Sequence, residues 1–347
     1  MSDPAGDSAQ DWRSTVEREG ESPLSVALTR AAQPGRGRDA TAPEDFPALG
    51  WHDILWRVFW AIPEDRVLST AGSVAFFALL AIFPGLSTVV SLYGLFADRV
   101  GVRNLLTGLD GIVPSGVLLL VGDELERLAA QRSDTLGLAF LAGLAIAFWS
   151  ANSGILALFD ALNVVYRERE KRSLARLYGT TFLFTLGAAL FVVTAVGAVV
   201  ILPSALGVFG MTSWAERVVS FARWPVLLLT VMLGFSLVYR YGPSRRSAKW
   251  RWVTWGSVAA AVLWVGVSML YSWYVASFDS YNRVYGALGA GVGFMTWIWL
   301  SAVVVLIGAE LNAEMESQTA VDTTRGQPKP LGTRGAIVAD TVGEAQR

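Results

Sequence analysis

The sequence predicts an all-α protein: a polytopic membrane helical bundle of six transmembrane helices, with further interfacial amphipathic helices. Two observations carry this. Apolar residues make up 53% of the chain and charged residues only 16%, against roughly 25% charged in soluble domains. The charges are also segregated, leaving charge-free stretches at 67–97, 135–159, 177–215, 224–239, 252–278 and 284–309. About 20 apolar residues cross the roughly 30 Å hydrocarbon core of a bilayer, and five of the six stretches reach that length. The fourth, Trp224 to Tyr239, is a turn short. Arg223 and Arg240 at its ends can snorkel to the interfaces, and Val218 to Phe221 extend it backwards.

Residues 1–48 are rich in Asp, Glu, Arg, Pro, Gly and Ser without periodicity, as in a disordered arm. They lack the early apolar core of a signal peptide, so the first span is expected to act as an uncleaved anchor. Next, Trp51, Ile54, Leu55, Val58, Phe59 and Ile62 recur at helical spacing, widened by Trp56 and Trp60. A Trp-rich amphipathic helix of this kind suits the membrane interface or packing against the bundle. Pro84-Gly85 interrupts the first span and predicts a hinge or kink there. Residues 98–134 carry two apolar helical stripes separated by Pro114-Ser115-Gly116. They read as two amphipathic helices on the outer face or as a partly inserted hairpin. In the sixth stretch Gly286, Gly289 and Gly293 allow either close helix packing or a hinge. Trp297 and Trp299 lie near the middle of that span, where their indole donors need partners. The domain reading is a disordered cytoplasmic arm at 1–48, a six-helix membrane domain at 49–317 and a disordered cytoplasmic tail at 318–347.

Orientation follows from the basic residues of the short loops. The loop at 167–176 carries five (Arg167, Arg169, Lys171, Arg172, Arg176), and that at 240–251 also carries five (Arg240, Arg245, Arg246, Lys249, Arg251). The loops at 204–223 and 279–283 carry two and one. The basic loops are expected in the cytoplasm, and with six spans both termini join them.

The chemistry is bounded by what the chain lacks. It has no cysteine and a single histidine, His52, so it offers no thiol site and no His/Cys zinc site. No nucleophile elbow or phosphate loop is present, and the net charge of −1 predicts no nucleic-acid partner. No catalytic residue, cofactor or metal site is therefore assigned. What remains is polar groups in membrane helices. Asn152, Leu156, Asp160 and Asn163 fall within about 80° of one another on a helix of 100° per residue. They line a polar pathway or glue helices together through buried amides. Spans two, four and six run inward, which brings Asp160, Arg240 and Glu310 to similar depth, with Asn163, Tyr166 and Asn312 beside them. Either these form a cluster in which Arg240 pairs with Asp160 or Glu310, or they are unrelated interfacial charges.

Ordered motifs add a resemblance. Ala71-Gly72-Ser73-Val74-Ala75-Phe76-Phe77 through Phe83-Pro84 is similar to the first span of the YihY/BrkB family of bacterial inner-membrane proteins. So are Trp149-Ser150-Ala151-Asn152, Ala161-Leu162-Asn163 with Tyr166, and Tyr239-Arg240-Tyr241-Gly242-Pro243. Tyr285-Gly286-Ala287-Leu288-Gly289 and Gly308-Ala309-Glu310-Leu311-Asn312-Ala313-Glu314 complete the set, over about 51–316. Where the family has Pro-Gly-Ala near the start of the fifth span, this chain has Trp255-Gly256-Ser257. The resemblance implies six spans in the inner membrane and a role in transport or lipid handling; an older ribonuclease label is at odds with the residues present. The expected function is to move or present an amphipathic molecule, with membrane lipids as partners. A scaffold recruiting envelope proteins and an enzyme are the alternatives.

Overall fold

The computed structural model describes residues 22–96, 133–196, 213–277 and 279–346, and its regular structure is helical. The helices in chain order are α1 (Pro23–Ala31), α2 (Ala48–Glu64), α3 (Val67–Phe96), α4 (Ser133–Val165) and α5 (Leu174–Val196). They continue with α6 (Ser213–Tyr241), α7 (Trp250–Ser277), α8 (Asp279–Gln318) and the short α9 (Ile337–Asp340). Five of them, α4 to α8, are long and apolar enough to cross a membrane, and α3 adds a shorter apolar stretch at Val67–Ala81. The protein is thus a membrane helical bundle. The expected amphipathic helices of 98–134 lie outside the described residues. So do the side chains of Pro84, Gly85, Gly286 and Gly289, although the backbone stays helical through all four.

The side chains behave as a lipid solvent requires. Large apolar residues such as Leu183, Leu190, Phe221, Leu229, Met269 and Trp273 face outward along α5, α6 and α7. The buried core gathers instead near one end, around Phe159, Leu162, Tyr166, Tyr239, Trp252, Leu306 and Met315. There α8 crosses α7 closely: a Cβ on Gly256 would meet the Gly308 carbonyl oxygen, and one on Gly308 would meet the Tyr239 hydroxyl at 2.5 Å. Two glycines at one crossing let the backbones touch. The mid-span indoles find partners, Trp297 donating to the Ser268 hydroxyl at 3.2 Å and Trp299 to the Leu68 carbonyl at 2.9 Å.

α8 has 40 residues, or about 60 Å at 1.5 Å per residue, roughly twice the hydrocarbon thickness. It therefore outruns the hydrocarbon, and its C-terminal turns lie at the end of the bundle where the buried core gathers. Both basic loops and both terminal segments meet at that same end. Arg172 donates to the Tyr241 and Gly242 carbonyls, Arg246 N–H to Gly335, and Ala248 pairs with Thr324.

Two expectations need correction at this end. The segments 22–47 and 318–346 are not disordered; they fold over the end of the bundle. Gln318, Thr319, Thr323 and Thr324 are fully buried, and Ala336, Val338 and Ala339 nearly so. The Arg334 guanidinium donates to the carbonyls of Ala320, Val321, Lys329 and Ala339, and Arg38 donates to those of Gln318 and Gly343. Polar side chains lock the backbone here, so an apolar pattern is not needed to hold it. The amphipathic helix α2 packs one face on the bundle, as one of its two expected readings has it. Ile54, Val58 and Ala61 are buried against the bundle, while Leu55, Trp56, Phe59 and Trp60 remain exposed on the other side.

Candidate functional site

The last turns of α8 place four polar residues, Glu310, Asn312, Glu314 and Glu316, in buried positions. Residues four apart share a helix face, so Glu310 and Glu314 form one row and Asn312 and Glu316 another. The second row is structural. Arg245 forks onto Glu316 at 2.7 and 2.9 Å with both side chains fully buried, and Thr323 adds a hydrogen bond to Glu316 at 2.9 Å. The Arg245 guanidinium also lies over the Tyr166 ring, 4.2 Å from its centre. Asn312 accepts from Gly256 N–H at 3.0 Å, just before the Gly308 crossing. Trp255-Gly256-Ser257 thus has its own packing logic. Burial pushes the Tyr166 phenol up from its ordinary value.

The first row faces three elements. Glu314 accepts from Arg57 of α2 at 2.5 Å and lies 3.6 Å from Arg167. Glu310 contacts the carboxyl group of Asp65, in the turn between α2 and α3. The backbone at this meeting point is unusual, because Arg66 and Arg167 both adopt positive φ, at 51° and 56°. After α4, Arg167 N–H bonds to Val164 O and Glu168 N–H to Asn163 O, the pattern of a helix stop that normally uses glycine. An arginine in this left-handed position costs about 1–3 kcal/mol, and here its guanidinium reaches the carboxyl cluster.

The structure brings together Tyr166, Glu310 and Asn312, as the sequence suggests, but not Arg240. Its guanidinium donates to the Ala248 carbonyl at 2.6 Å and lies 4.4 Å from the centre of the Trp250 ring. None of the described ion pairs involves it. The expected pairing with Asp160 or Glu310 is therefore corrected: equal depth does not fix direction around the helix, and Arg240 turns into its own loop. The α4 stripe also divides. Asn152 is buried and accepts from Thr185 of α5 at 3.3 Å. Asn163 accepts from Ser244 N–H at 2.7 Å and donates to Glu170 at 3.2 Å. Asn152 thus joins two helices, and Asn163 ties the end of α4 to the loops after α4 and α6.

Asp160 differs, being exposed. It lines a cleft of about 510 Å³ on the flank of the bundle. Apolar walls from Phe77, Leu156, Val164 and Leu177 carry a polar margin of Thr70, Ser73, Ser153, Asp160 and Glu170. At its rim Glu170 is held down to about 2. Its partial burial works against this, but the Arg172 side chain and backbone, Asn163 and Ser244 outweigh it. Among the described residues no cluster of His, Cys, Asp and Glu has the form of a metal site.

Sequence reasoning missed Asp65, Arg57, Arg167, Arg245 and Glu316 as partners. The one available signal was the spacing of Glu310, Glu314 and Glu316 after an apolar span, since three acids at alternating and helical spacing cannot all face water on a buried helix end.

Comparison with known proteins places this architecture. A family model described as virulence factor BrkB matches residues 58–331, which includes the site residues above except Arg57, one residue before the match begins. The chain belongs to the BrkB family. YfkH of Bacillus subtilis, described as ribonuclease-like, is 28% identical over 262 residues, covering 71% of this chain and 88% of YfkH. A UPF0761 membrane protein of Idiomarina loihiensis is 31% identical over 206 residues, 56% of this chain and 68% of that protein. Another from Aromatoleum aromaticum is 28% identical over 271 residues, 75% of this chain but 64% of the relative, so this BrkB-family chain spans less than two thirds of it. No solved structure matches.

Proposed function

We propose that this BrkB-family protein moves or presents an amphipathic molecule, a lipid of its own bilayer, within or across the bacterial inner membrane. The observation that carries this is the flank cleft. It has apolar walls for an acyl chain, and Thr70, Ser73, Ser153 and Asp160 set a polar margin for a headgroup. Asp160 and Val164 are exposed, so the cleft opens toward the lipid rather than into a closed core. An ionisable side chain on the outside of a membrane helix is costly unless something polar meets it there.

Orientation is part of the same reading. Two loops with five basic residues each share one end with the described terminal segments 22–47 and 318–346, and on the positive-inside rule we assign that end to the cytoplasm. The cleft then opens near the inner leaflet. The test is reconstitution in vesicles carrying a fluorescent phospholipid, with Leu156→Trp to fill the cleft. We expect lipid movement, or photo-crosslinking of lipid to position 153, above empty vesicles, and its loss in the filled variant. Movement no faster than in empty vesicles, with no crosslink, sinks the proposal.

A further inference from the structure

A second feature, independent of the cleft, concerns the carboxyl row of α8. We infer that Asp65 and Glu310 hold one exchangeable proton between them, forming a proton-binding site where the α2–α3 turn meets α8.

The geometry leads there in three steps. Glu310 is 1% exposed and its Oε1 has no hydrogen-bond partner. Its carboxyl group is instead a side-chain hydrogen-bonding neighbour of that of Asp65, which is half-buried in the α2–α3 turn. Two carboxylates that meet at a site buried on one side repel each other when both are ionised, whereas one proton turns that repulsion into a hydrogen bond.

Neighbouring cations do not remove the need for that proton. Arg57 is committed elsewhere, to Glu314, the Gln318 side chain and the carbonyls of Glu314 and Glu344. Arg167 lies 3.6 Å from Glu314. Three carboxyl groups, Asp65, Glu310 and Glu314, thus face two guanidinium groups. From the remaining sides, Glu64 adds negative charge to the turn and Tyr166 presents a phenol. Burial lifts the Asp65 carboxyl group to about 6; Glu64 and Glu314 add to the lift, while the Glu310 contact and Arg167 oppose it. The two groups titrate as one unit.

The site joins separate elements of the chain. Asp65 ends α2 and leads directly into α3, Glu310 belongs to α8, and Arg167 ends α4. With the proton in place, the α2–α3 turn is bonded to α8. When the proton leaves to solvent, two like charges face each other across that contact and drive the turn away from α8.

Infrared difference spectroscopy of the purified full chain, stepped from acid through neutral to alkaline pH, tests this. The expected result is a carboxylic acid C=O band, sensitive to deuterium exchange, that is present at neutral pH and lost as pH rises. Glu310→Gln and Asp65→Asn should each abolish that transition. Thermal unfolding gives a second readout. The wild-type midpoint should fall as pH rises through the transition, because the protonated pair stabilises the fold, and the profile should flatten in either variant. Absence of any such band in the wild type overturns the proposal, as does a band and unfolding profile unchanged in both variants. A titration that shifts when sodium is replaced by choline also overturns it, since the carboxyl groups would then hold a metal cation. If neither variant folds, the wild-type band alone decides.

Discussion

α8 and α5 are both apolar helices of this bundle, yet they are held by opposite means. Over its spanning window α8 is 39% buried, and α5 only 11%. The polar residues of α8 are inside and bonded: Glu316 to Arg245, Asn312 to Gly256, Glu314 to Arg57. α5 presents Leu183, Leu186 and Leu190 outward and touches α4 through the Thr185–Asn152 bond and the stacked rings of Phe148 and Phe182. Lipid tails are as apolar as leucine, so a helix gains little by exchanging lipid for an apolar neighbour. Position in the membrane is therefore fixed by close packing and polar bonds. α8 has many of both, and α5 few.

The largest expected effect is on the α8 side. Arg245→Ala leaves the fully buried Glu316 carboxylate without its partner and should cost about 3–5 kcal/mol. Arg245→Met combined with Glu316→Leu should recover much of that, because the stranded charge is gone. Midpoints of thermal unfolding in detergent measure both. If the single variant is as stable as the double, ionic bonding is not what holds the end of α8.

Next comes a pair of identical substitutions with opposite signs. Alanine at Gly308 would place its Cβ 2.5 Å from the Tyr239 hydroxyl, 2.7 Å from the Ala260 Cβ and 2.9 Å from the Gly256 carbonyl oxygen. Since one of these is backbone, α7 and α8 must separate, at a cost of about 1–3 kcal/mol. A Cβ on Gly187 of α5 meets nothing within 4 Å. Gly187→Ala should therefore stabilise by about 0.5–1 kcal/mol through helix propensity alone. Equal responses at the two sites would erase the contrast between the helices.

The same contrast explains what could be read from the residues alone. Spans are legible because hydrocarbon demands long charge-free runs, and the exceptions within or beside them, Tyr166, Glu310 and Asn312, stand out as polar groups at a helix end. Arg240 stands out equally, but its direction around α6 is set by Trp250 and the Ala248 carbonyl, which depth along a helix cannot reveal. Asp65 lies in a charged turn between Glu64 and Arg66, so nothing local marks it as a partner of Glu310. The order of the tail was hidden for a related reason. Arg334 holds it through bonds to four carbonyls, and backbone acceptors have no sequence signature.

The smallest effect expected is at the loop that ties α5 back to the bundle, and its sign can be worked out. The folded protein holds Glu170 at about 2, below the ordinary 4.5, chiefly through Arg172 acting against the carboxyl group's partial burial. A carboxyl group depressed in the folded state binds fewer protons there than in the unfolded chain. Its stabilisation is complete above about pH 4.5 and disappears as pH falls toward about 2. Arg172→Ala removes that stabilisation and also the bonds to the Tyr241 and Gly242 carbonyls. The gap in unfolding midpoint between wild type and variant should thus be widest above about pH 4.5 and narrow on acidification, leaving only the part due to the carbonyl bonds. The side chains of Arg172 and Glu170 are 12% and 25% exposed, so water and salt screen the pair more than they screen Arg245 and Glu316. A gap that stays constant with pH would mean that α5 is anchored by the carbonyl bonds and not by the charge on Glu170.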